Sequence, residues 1–292
     1  MGSGSWDRDS FRSYTVSTKG AVTFDSAGSI STSLSNQDMF KQRRLNEKLN
    51  PFKVTRECVD TEEHPNTKPV ILALDVTGSM GEAAVTVAKK LNVIMTDIYN
   101  KVEDVEFMIM GIGDFYCDSA PLQVSQFESD IRIAEQLDDV WFEFGGGGNA
   151  FESYTAAWYF GVNHCKLDCW KRGQKGIIIT MGDEQLNPYI PKEGRCSSIE
   201  NTIGDTVQDN ILTENLYSET IEKYDVYHLH VEHGSYYDSS KVELSWRQYL
   251  DDDHFRVVNL NNIANEIVNI ITKSADTGTT VSQTDNSEGI SW

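Results

Sequence analysis

Residues 70–80 have the sequence Val70-Ile-Leu-Ala-Leu-Asp75-Val-Thr77-Gly-Ser79-Met80, in which five apolar residues lead into an aspartate and then into small hydroxyl side chains. An unbroken apolar run with polar residues at its end is typical of a strand buried on both faces, as in a parallel sheet. Apolar residues at helical spacing follow, which predicts a helix over about 80–100. Asp75 should therefore lie at the carboxyl end of a central strand, where open α/β sheets bind ligands.

Asp75, Thr77 and Ser79 place one carboxylate and two hydroxyls on one tight turn. Hard oxygen ligands of this kind suit Mg²⁺, which takes a few protein oxygens and keeps some water. The alternative is that the three residues cap the following helix, as Asp, Ser and Thr often do. This segment alone does not decide between the two interpretations.

Buried strands and amphipathic helices alternate along the rest of the chain. Such alternation predicts a doubly wound α/β fold of Rossmann-like topology, built on a mostly parallel six-stranded sheet with right-handed crossovers. One short strand begins at Pro121 and is predicted at the antiparallel edge, where a proline is tolerated. The predicted strands span 70–75, 105–113, 121–127, 175–181, 225–231 and 255–260, and the predicted helices span about 80–100, 129–137, 152–165, 211–223, 242–249 and 263–271.

A strand order of 3-2-1-4-5-6 would place the first and fourth strands on either side of the point where the order reverses. The loops that follow these two strands would then face each other across one crevice, and they carry Asp75 and Asp183 at their starts. Two carboxylates in one crevice raise each other's pKa and destabilise the fold, whereas a bound divalent ion relieves the repulsion.

The D-x-[ST]-x-S pattern of Asp75, Thr77 and Ser79 resembles the first loop of the von Willebrand factor A (vWA) domain, where it supplies half of the metal-ion-dependent adhesion site (MIDAS). The resemblance covers about residues 67–274. It implies that Asp183, in Ile-Ile-Ile-Thr-Met-Gly-Asp-Glu, supplies the ligand from the third loop. Several stretches, among them Gly-Gly-Gly-Gly-Asn and Met-Gly-Asp-Glu, are also similar to uncharacterised bacterial and phage vWA proteins, which implies the fold but no specific function.

The chain departs from the family pattern in the second loop. That loop usually supplies a threonine from a Gly-Gly-Thr-Asn-like sequence, but here the same place has Gly147-Gly148-Asn149. Asn149, Glu152 one turn later, or a water molecule would have to substitute. The departure bears directly on the metal affinity that the resemblance implies.

The chain has 292 residues, with 25 Lys and Arg against 45 Asp and Glu, for a net charge of −20. Residues 1–60 hold 9 Lys and Arg and 7 Asp and Glu, a net charge of +2, so the remainder carries 16 against 38, a net charge of −22. A body this acidic repels phosphate backbones, which argues against nucleic-acid binding, and it attracts metal ions and basic partners.

The chain contains no apolar run of about 18 residues, and its start, Met-Gly-Ser-Gly-Ser-Trp, has no apolar signal core, so neither a membrane span nor a secretion signal is expected. The 5 cysteines form an odd, unpatterned set that does not make a disulfide framework. We therefore expect a reduced, cytoplasmic protein, located in the host cytoplasm or in the virion if the chain is phage-encoded.

Residues 1–66 are predicted as an N-terminal arm and linker, residues 67–274 as the vWA-like domain, and residues 275–292 as a disordered polar tail. Weak alternation over 13–24 allows an edge hairpin, but an arm that orders only against the body or a partner is favoured. The basic stretch 41–56 is interpreted as a solvated linker held to the acidic body by charge, with a docking segment for another protein as the alternative.

Two further groups of residues invite a metal interpretation. Asp114 and Asp118 follow the second strand and could reach a metal through water or bind a second ion, but solvated loop carboxylates are favoured. His228, His230 and His233 suggest zinc, which needs three or four converging ligands. His233 falls off the strand face shared by the other two, so packed, hydrogen-bonded histidines are favoured.

These features together predict a non-enzymatic, Mg²⁺-dependent protein-interaction module, an adaptor or assembly factor, with Mn²⁺ or Ca²⁺ as alternative ions. A protein partner would supply a carboxylate to the bound ion, and by analogy with cytoplasmic vWA proteins that partner is an AAA-type ATPase. Loops around the site would set specificity through aromatic residues, which are suited to interface cores. The predicted partner-binding residues are Asp114, Phe115, Tyr116, Tyr189, Tyr236 and Tyr237.

Two other functions stay open. A Mg²⁺-dependent phosphohydrolase could use Asp75 as its nucleophile, although Thr77 stands where the D-x-D-x-T pattern of haloacid dehalogenases has its general acid. A structural or virion-assembly protein could act through its N-terminal arm. A P-loop NTPase is excluded because no G-x-x-x-x-G-K-[ST] sequence is present.

Overall fold

The centre of the molecule is a six-stranded sheet, seen in a computed structural model that describes residues 4–20, 22–143, 151–232 and 239–277. We number the strands of this sheet alone, in chain order, and their spatial order is β6-β5-β4-β1-β2-β3. This order is the predicted 3-2-1-4-5-6. The strands are β1 (Lys68–Asp75), β2 (Val105–Ile112), β3 (Leu122–Val124), β4 (Gly176–Gly182), β5 (Tyr224–Val231) and β6 (Phe255–Val258).

Five of the six strands are parallel, and β3 pairs antiparallel with β2 at the edge, as the sequence predicts. β1 is paired along its length, from Lys68 opposite Val105 to Asp75 opposite Ile112 on one side. On its other side it pairs with β4 up to Leu74 opposite Met181. Because β1 and β4 are neighbours and run in the same direction, their carboxyl ends, and the aspartates that follow, lie at one edge of the sheet.

Helices cover both faces of the sheet because alternate residues of the buried strands point to opposite sides. Val70, Leu72 and Leu74 face one hydrophobic core, which α1 to α4 and α9 complete. Ile71 and Ala73 face a second core, which α5 to α8 complete. The helices are α1 (Arg8–Lys19), α2 (Asn36–Met39), α3 (Gly81–Tyr99), α4 (Arg132–Asp139), α5 (Thr155–His164), α6 (Ile199–Thr202), α7 (Thr213–Lys223), α8 (Ser239–Trp246) and α9 (Ile263–Thr277).

The alternation over 13–24 does not form the hairpin that was considered, because α1 runs through it to Lys19. The Asp7 side chain caps this helix by accepting a hydrogen bond from the Ser10 amide at 2.7 Å. Its buried residues, Phe11 and Thr15, have helical spacing, whereas Val16 in the supposed alternation is 51% exposed. A two-residue antiparallel pair, Thr23–Phe24 with Ile30–Ser31, follows the helix.

The interpretation of 41–56 as a solvated linker is wrong, since the segment packs into the body. Leu49, in a short 3₁₀ helix over Glu47–Leu49, is buried, and so is the Arg56 side chain. The Arg56 guanidinium donates to the Val124 carbonyl oxygen at 2.9 Å. Apolar burial and backbone hydrogen bonds, and not charge alone, therefore hold the segment in place.

The long polar segment after β4 contains short regular elements. Gln185–Leu186 pairs in parallel with Phe151–Glu152, and Tyr189–Ile190 pairs antiparallel with Ile211–Leu212.

Before β4, another short strand pair joins Arg56–Cys58 to Cys165–Leu167, just before a 3₁₀ helix over Asp168–Arg172. At the end of the chain, α9 extends to Thr277, and the rest of the predicted tail lies outside the described residues.

Candidate functional site

Asp75 is the last residue of β1 and is fully buried. One of its carboxylate oxygens, Oδ1, accepts hydrogen bonds from the backbone amide and the hydroxyl of Thr77, at 2.9 and 2.6 Å. The chain then makes a 3₁₀ turn over Gly78–Met80 and continues into α3. The buried apolar strand thus places the Asp75 carboxylate at the end of the sheet, and the next turn brings the Thr77 hydroxyl into hydrogen-bond contact with it.

Thr77 and Ser79 do not cap the following helix, which was the alternative interpretation. No side-chain capping hydrogen bond is made at the start of the 3₁₀ turn or at the start of α3. The Thr77 hydroxyl contacts Asp75, and the Ser79 hydroxyl donates to Asp183 Oδ1 at 3.0 Å. Both hydroxyls donate to carboxylates, so the turn contributes hydrogen bonds to the crevice between β1 and β4.

Asp183 follows directly after β4 and is also buried. Its Oδ1 receives the Ser79 hydroxyl, whereas its Oδ2 is buried with no hydrogen-bond partner among the described residues. Such an atom costs free energy comparable to a lost hydrogen bond unless something else satisfies it. The hydrogen bond between Ser79 and Asp183, 104 positions apart in sequence, joins the two loops that were predicted to meet.

Burial raises the pKa of both aspartates. The pKa of Asp75 rises to about 7, first because the carboxyl is buried and second because Asp183 is negatively charged. The pKa of Asp183 rises to about 6 through burial, which the Ser79 hydrogen bond partly opposes. Neither group has a lysine or arginine within ion-pair distance in the part of the chain that the structure describes.

Two glutamates join this acidic site. The short pairing of Phe151–Glu152 with Gln185–Leu186 brings Glu152 beside the segment that follows β4, where Glu184 lies. Burial, together with the charges of Asp183 and Asp75, raises the pKa of Glu184 to about 8. Burial raises the pKa of Glu152 well above its ordinary value, and the charges of Asp75 and other carboxylates add to this. One oxygen of each glutamate is buried, with no hydrogen-bond partner in the described part of the chain.

Tyr154 supports the site in a way that sequence reasoning missed. Its hydroxyl donates to Asp75 Oδ2 at 2.8 Å and accepts the Glu184 amide at 3.2 Å. A Cβ atom on Gly182 would lie 1.9 Å from the Tyr154 hydroxyl oxygen, so only glycine fits there. The one sequence signal for this contact was that glycine, which precedes Asp183 at the end of a buried strand.

Neither a protein-family model nor a curated protein matches the sequence. Among solved structures, the pilus adhesin SpaC from Lactobacillus rhamnosus GG, in its open conformation, is similar over 78% of this chain, with a TM-score of 0.50 and 13% sequence identity. The match covers 31% of the SpaC chain. The vWF domain of the type V pili tip protein Mfa5 from Porphyromonas gingivalis matches with a TM-score of 0.44 and 11% identity, over 75% of this chain and 98% of that chain.

The strand order and the similarity to SpaC together decide the fold. This chain has a vWA-like fold. In the vWA-like domain Asp75, Thr77, Ser79 and Asp183 come together as predicted from the sequence. Asn149, the predicted substitute from the second loop, lies outside the described residues, whereas Glu152 lies among the buried carboxylates.

Asp114 and Asp118 close their own loop at the rim of the vWA-like domain. Asp118 Oδ2 accepts the Asp114 amide at 2.7 Å, and Asp114 Oδ1 accepts the Tyr116 amide at 3.0 Å. Both carboxylates are engaged in this loop, and their charges add to the rise in the pKa of Glu152.

The predicted partner-binding aromatic residues divide into three groups. Phe115 is fully buried in the second hydrophobic core, so it is withdrawn from the set. Tyr116 and Tyr189 are exposed by 52% and 41%. Tyr236 and Tyr237 lie outside the described residues.

The histidines of β5 pack inside the vWA-like domain. The His228 ring stacks on Trp246 with the ring centroids 3.6 Å apart, and its Nδ1 lies 2.9 Å from the Thr180 hydroxyl. The His230 ring lies beside Phe255, and His233 is outside the described residues. In the part described, no group of three or more His, Cys, Asp and Glu side chains has a metal-binding arrangement. This finding covers the four carboxylates around Asp75, but it does not consider the hydroxyls of Thr77 and Ser79.

Among the residues that the structure describes, no helix combines the length and the apolar character needed to cross a membrane.

Proposed function

We propose that this vWA-like domain is a divalent-cation-dependent protein-binding module without enzymatic activity. In this proposal Asp75, Thr77, Ser79 and Asp183 hold Mg²⁺, with Mn²⁺ or Ca²⁺ as alternatives. One observation carries the proposal: the Ser79 hydroxyl joins the two loops at Asp183, whose second oxygen is buried without a hydrogen-bond partner among the described residues.

The chemistry of these residues fits a hard cation. Mg²⁺ binds through one or two carboxylates together with other oxygens and keeps several waters. A positive charge in the crevice would keep Asp75 and Asp183 ionised in spite of their burial, and it would satisfy the Asp183 oxygen that lacks a partner. Glu152 and Glu184 would add negative potential around the same position.

A bound Mg²⁺ would also explain recognition of a protein partner. Because the ion keeps positions filled only by water, a carboxylate from another protein can replace one of them. Exposed Tyr116 and Tyr189 offer aromatic surface of the kind that is enriched in protein interfaces. SpaC is described as an adhesin, and a shared fold is consistent with a protein-binding role here.

Thermal unfolding in EDTA, Mg²⁺ and Mn²⁺ tests the cation. An ion that binds only the folded chain raises the unfolding midpoint, so we expect the wild type to unfold at a higher temperature in Mg²⁺ or Mn²⁺ than in EDTA. Asp183→Asn keeps an oxygen for Ser79 and removes the charge, so it should lose the rise. Asp252→Asn is the matched control, since Asp252 is a highly exposed carboxylate on the turn after α8 and should leave the rise intact.

Equal responses in all three proteins, or no response in the wild type, would overturn the cation proposal. A pull-down from the source organism's lysate, with and without EDTA, then tests whether the ion recruits a partner. Turnover of a generic phosphoester that is lost in Asp75→Asn would instead support the phosphohydrolase alternative.

A further inference from the structure

Two of the cysteines differ from the others in their access to solvent. Cys58, Cys165 and Cys169 are buried, whereas Cys117 is half-buried and Cys196 is exposed. The two accessible residues are far apart in sequence but lie in loops that touch each other. One is the 114–118 loop after β2, which lies at the rim of the acidic site, and the other is the 194–197 turn in the long segment after β4.

Backbone contacts fasten these two loops together. The Tyr116 carbonyl oxygen accepts the amides of Arg195 and Cys196, at 2.8 and 3.3 Å. The Ser197 hydroxyl donates to the Phe115 carbonyl oxygen at 2.7 Å. A Cβ atom on Gly194 would lie 2.1 Å from that same Phe115 oxygen, so the two backbones are in close contact.

These contacts limit the distance between the two cysteines. The Cys196 amide nitrogen is 3.3 Å from the Tyr116 carbonyl oxygen. That oxygen belongs to the peptide bond that leads into Cys117, so standard bond lengths place the two Cα atoms no more than roughly 8 Å apart. A disulfide requires about 4.4–6.8 Å between Cα atoms, which loops at the surface can reach with a small adjustment.

We propose that Cys117 and Cys196 form a reversible disulfide that fastens the 114–118 loop to the 194–197 turn beside the acidic site. The inference does not rest on the proposed cation. It concerns the rim of the site, where the disulfide would fix the loop that carries Asp114 and Asp118.

The oxidant is a low-molecular-weight disulfide such as glutathione disulfide. The Cys196 thiolate attacks one sulfur of it, which forms a mixed disulfide and releases one glutathione thiolate. The Cys117 thiolate then attacks the Cys196 sulfur and releases the second glutathione, and each released thiolate takes up the proton that a cysteine gave up. Two protein thiols are oxidised to one disulfide while one glutathione disulfide is reduced to two thiols.

Exposure and charge favour Cys196 as the first thiol to react. Burial, the hydrogen bond with Asp114 and the charges of Asp114, Asp118 and Cys196 raise the pKa of Cys117 to about 11. A thiol with a raised pKa has little thiolate near neutral pH and reacts slowly with a disulfide in solution. Cys117 therefore acts second, on a mixed disulfide that the loop contacts hold beside it.

The test uses the full, natively folded chain, incubated with glutathione disulfide and quenched with acid. Trypsin cleaves after Lys101, Arg132, Arg195 and Lys223, so Cys117 and Cys196 fall in separate peptides, 102–132 and 196–223, each with a single cysteine. The expected result is a protein that has lost two hydrogen atoms and a peptide pair joined through these two cysteines, both reversed by dithiothreitol.

Two variants make the test decisive. Cys117→Ser should stop at the mixed disulfide, with one glutathione on peptide 196–223, and Cys196→Ser should remain largely unmodified. The proposal is overturned if wild-type protein accumulates the mixed disulfide at Cys196 without closing it, if both thiols stay reduced, or if only dimers linked through Cys196 appear.

Discussion

Two acidic regions of this molecule, one partly buried and one fully buried, are built in opposite ways. On α4, Asp138 accepts Lys19 Nζ at 2.8 Å and the Tyr14 hydroxyl at 3.0 Å, and the Lys19 side chain is only 6% exposed. At the carboxyl ends of β1 and β4, Asp75 and Asp183 receive hydroxyls and an amide but no cationic side chain from the described residues.

The difference shows which buried charges the chain neutralises with its own side chains. A buried carboxylate is costly unless it is paired, and the lysine that pairs with Asp138 comes from α1, which it helps to hold on the body. The Asp75 region is more deeply buried and carries more carboxylates, yet the chain places tyrosine, serine and threonine hydroxyls there. The proposed cation would supply the positive charge that the side chains of this site do not.

The largest expected effect comes from removing the cation at Asp138. Lys19→Ala leaves that mostly covered carboxylate without its cation, which should destabilise the fold by up to about 3 kcal/mol, the lower end of the cost of breaking a buried pair. Urea unfolding measures the loss. Lys48→Ala is the control, since Lys48 is 80% exposed and lies 3.5 Å from the neighbouring Asp139. It should cost less than about 1 kcal/mol. Equal losses for the two variants would show that burial does not distinguish these ion pairs.

The second prediction concerns the protonation of a histidine that lies close to the acidic site. His228 lies against Tyr154, the residue that holds Asp75, with the ring centroids 5.3 Å apart. Burial, and then the charge of His230, lower the pKa of His228 well below its ordinary value. The ring therefore stays neutral in the folded protein and contributes no positive charge to the site.

The sign of the pH effect follows from this lowered pKa. Below about pH 6.5 an unfolded histidine binds a proton. Folded His228 does not, so its contribution to stability falls as the pH falls, by up to about 1.4 kcal/mol for each pH unit. His228→Phe keeps an aromatic ring against Trp246 and should remove this contribution between pH 6.5 and 5, while His230 and the carboxyls with a raised pKa, such as Asp75 and Asp183, contribute equally to both proteins. Urea midpoints of both proteins across that range check it. Parallel slopes would contradict the neutral assignment.

A smaller effect is expected from neutralising Asp183 in the absence of metal. At pH 8 both Asp75 and Asp183 are ionised, since that pH lies above their pKa values of about 7 and 6. Asp183→Asn should then stabilise the EDTA-treated protein by an amount on the order of 1 kcal/mol, because it removes repulsion between buried like charges. Chemical unfolding in EDTA at pH 8 measures this gain. A loss of stability would mean that the crevice does not behave as an unpaired acidic site.

The sequence was sufficient to predict the central sheet and the juxtaposition of Asp75, Thr77, Ser79 and Asp183. Apolar runs such as 70–74 are typical of strands buried inside a parallel sheet, and the strand order assumed for such a doubly wound sheet is the one observed. The three residues of the D-x-[ST]-x-S turn and Asp183 come together because the turn and Asp183 lie at the carboxyl ends of two neighbouring strands.

Contacts between distant parts of the chain could not be predicted in this way. Tyr154 reaches Asp75 across 79 positions, and its role depends on where α5 begins relative to β1. The helix α1 has only short apolar repeats, and its position depends on contacts with α3 such as that of Trp6, just before the helix, whose indole donates to the Asn92 side chain at 3.1 Å. The Cys117 and Cys196 loops meet through backbone hydrogen bonds, which leave no pattern in the side chains.

The smallest expected effect concerns a third buried group, which resembles Asp138 in having its partners within the chain. His64 Nδ1 lies 3.2 Å from Asp104, and its Nε2 lies 2.8 Å from the Gly4 carbonyl oxygen, which also accepts the Ser129 hydroxyl at 2.6 Å. These contacts fasten the residues before α1 to the body. Their loss should therefore loosen that segment without unfolding the sheet, unlike the loss of Lys19.

His64→Ala should cost about 1 kcal/mol, the value of a typical hydrogen bond. It should also speed tryptic cleavage after Arg8 and Arg12 at the start of the chain, while cleavage elsewhere stays unchanged. Ser129→Ala removes the other donor to the Gly4 carbonyl and should have a similar, smaller effect. Limited trypsin digestion followed by mass spectrometry checks both variants. If cleavage inside the central sheet rose as fast as cleavage in α1, these contacts would support the whole fold, and His64 would belong with Lys19 among the groups on which global stability depends.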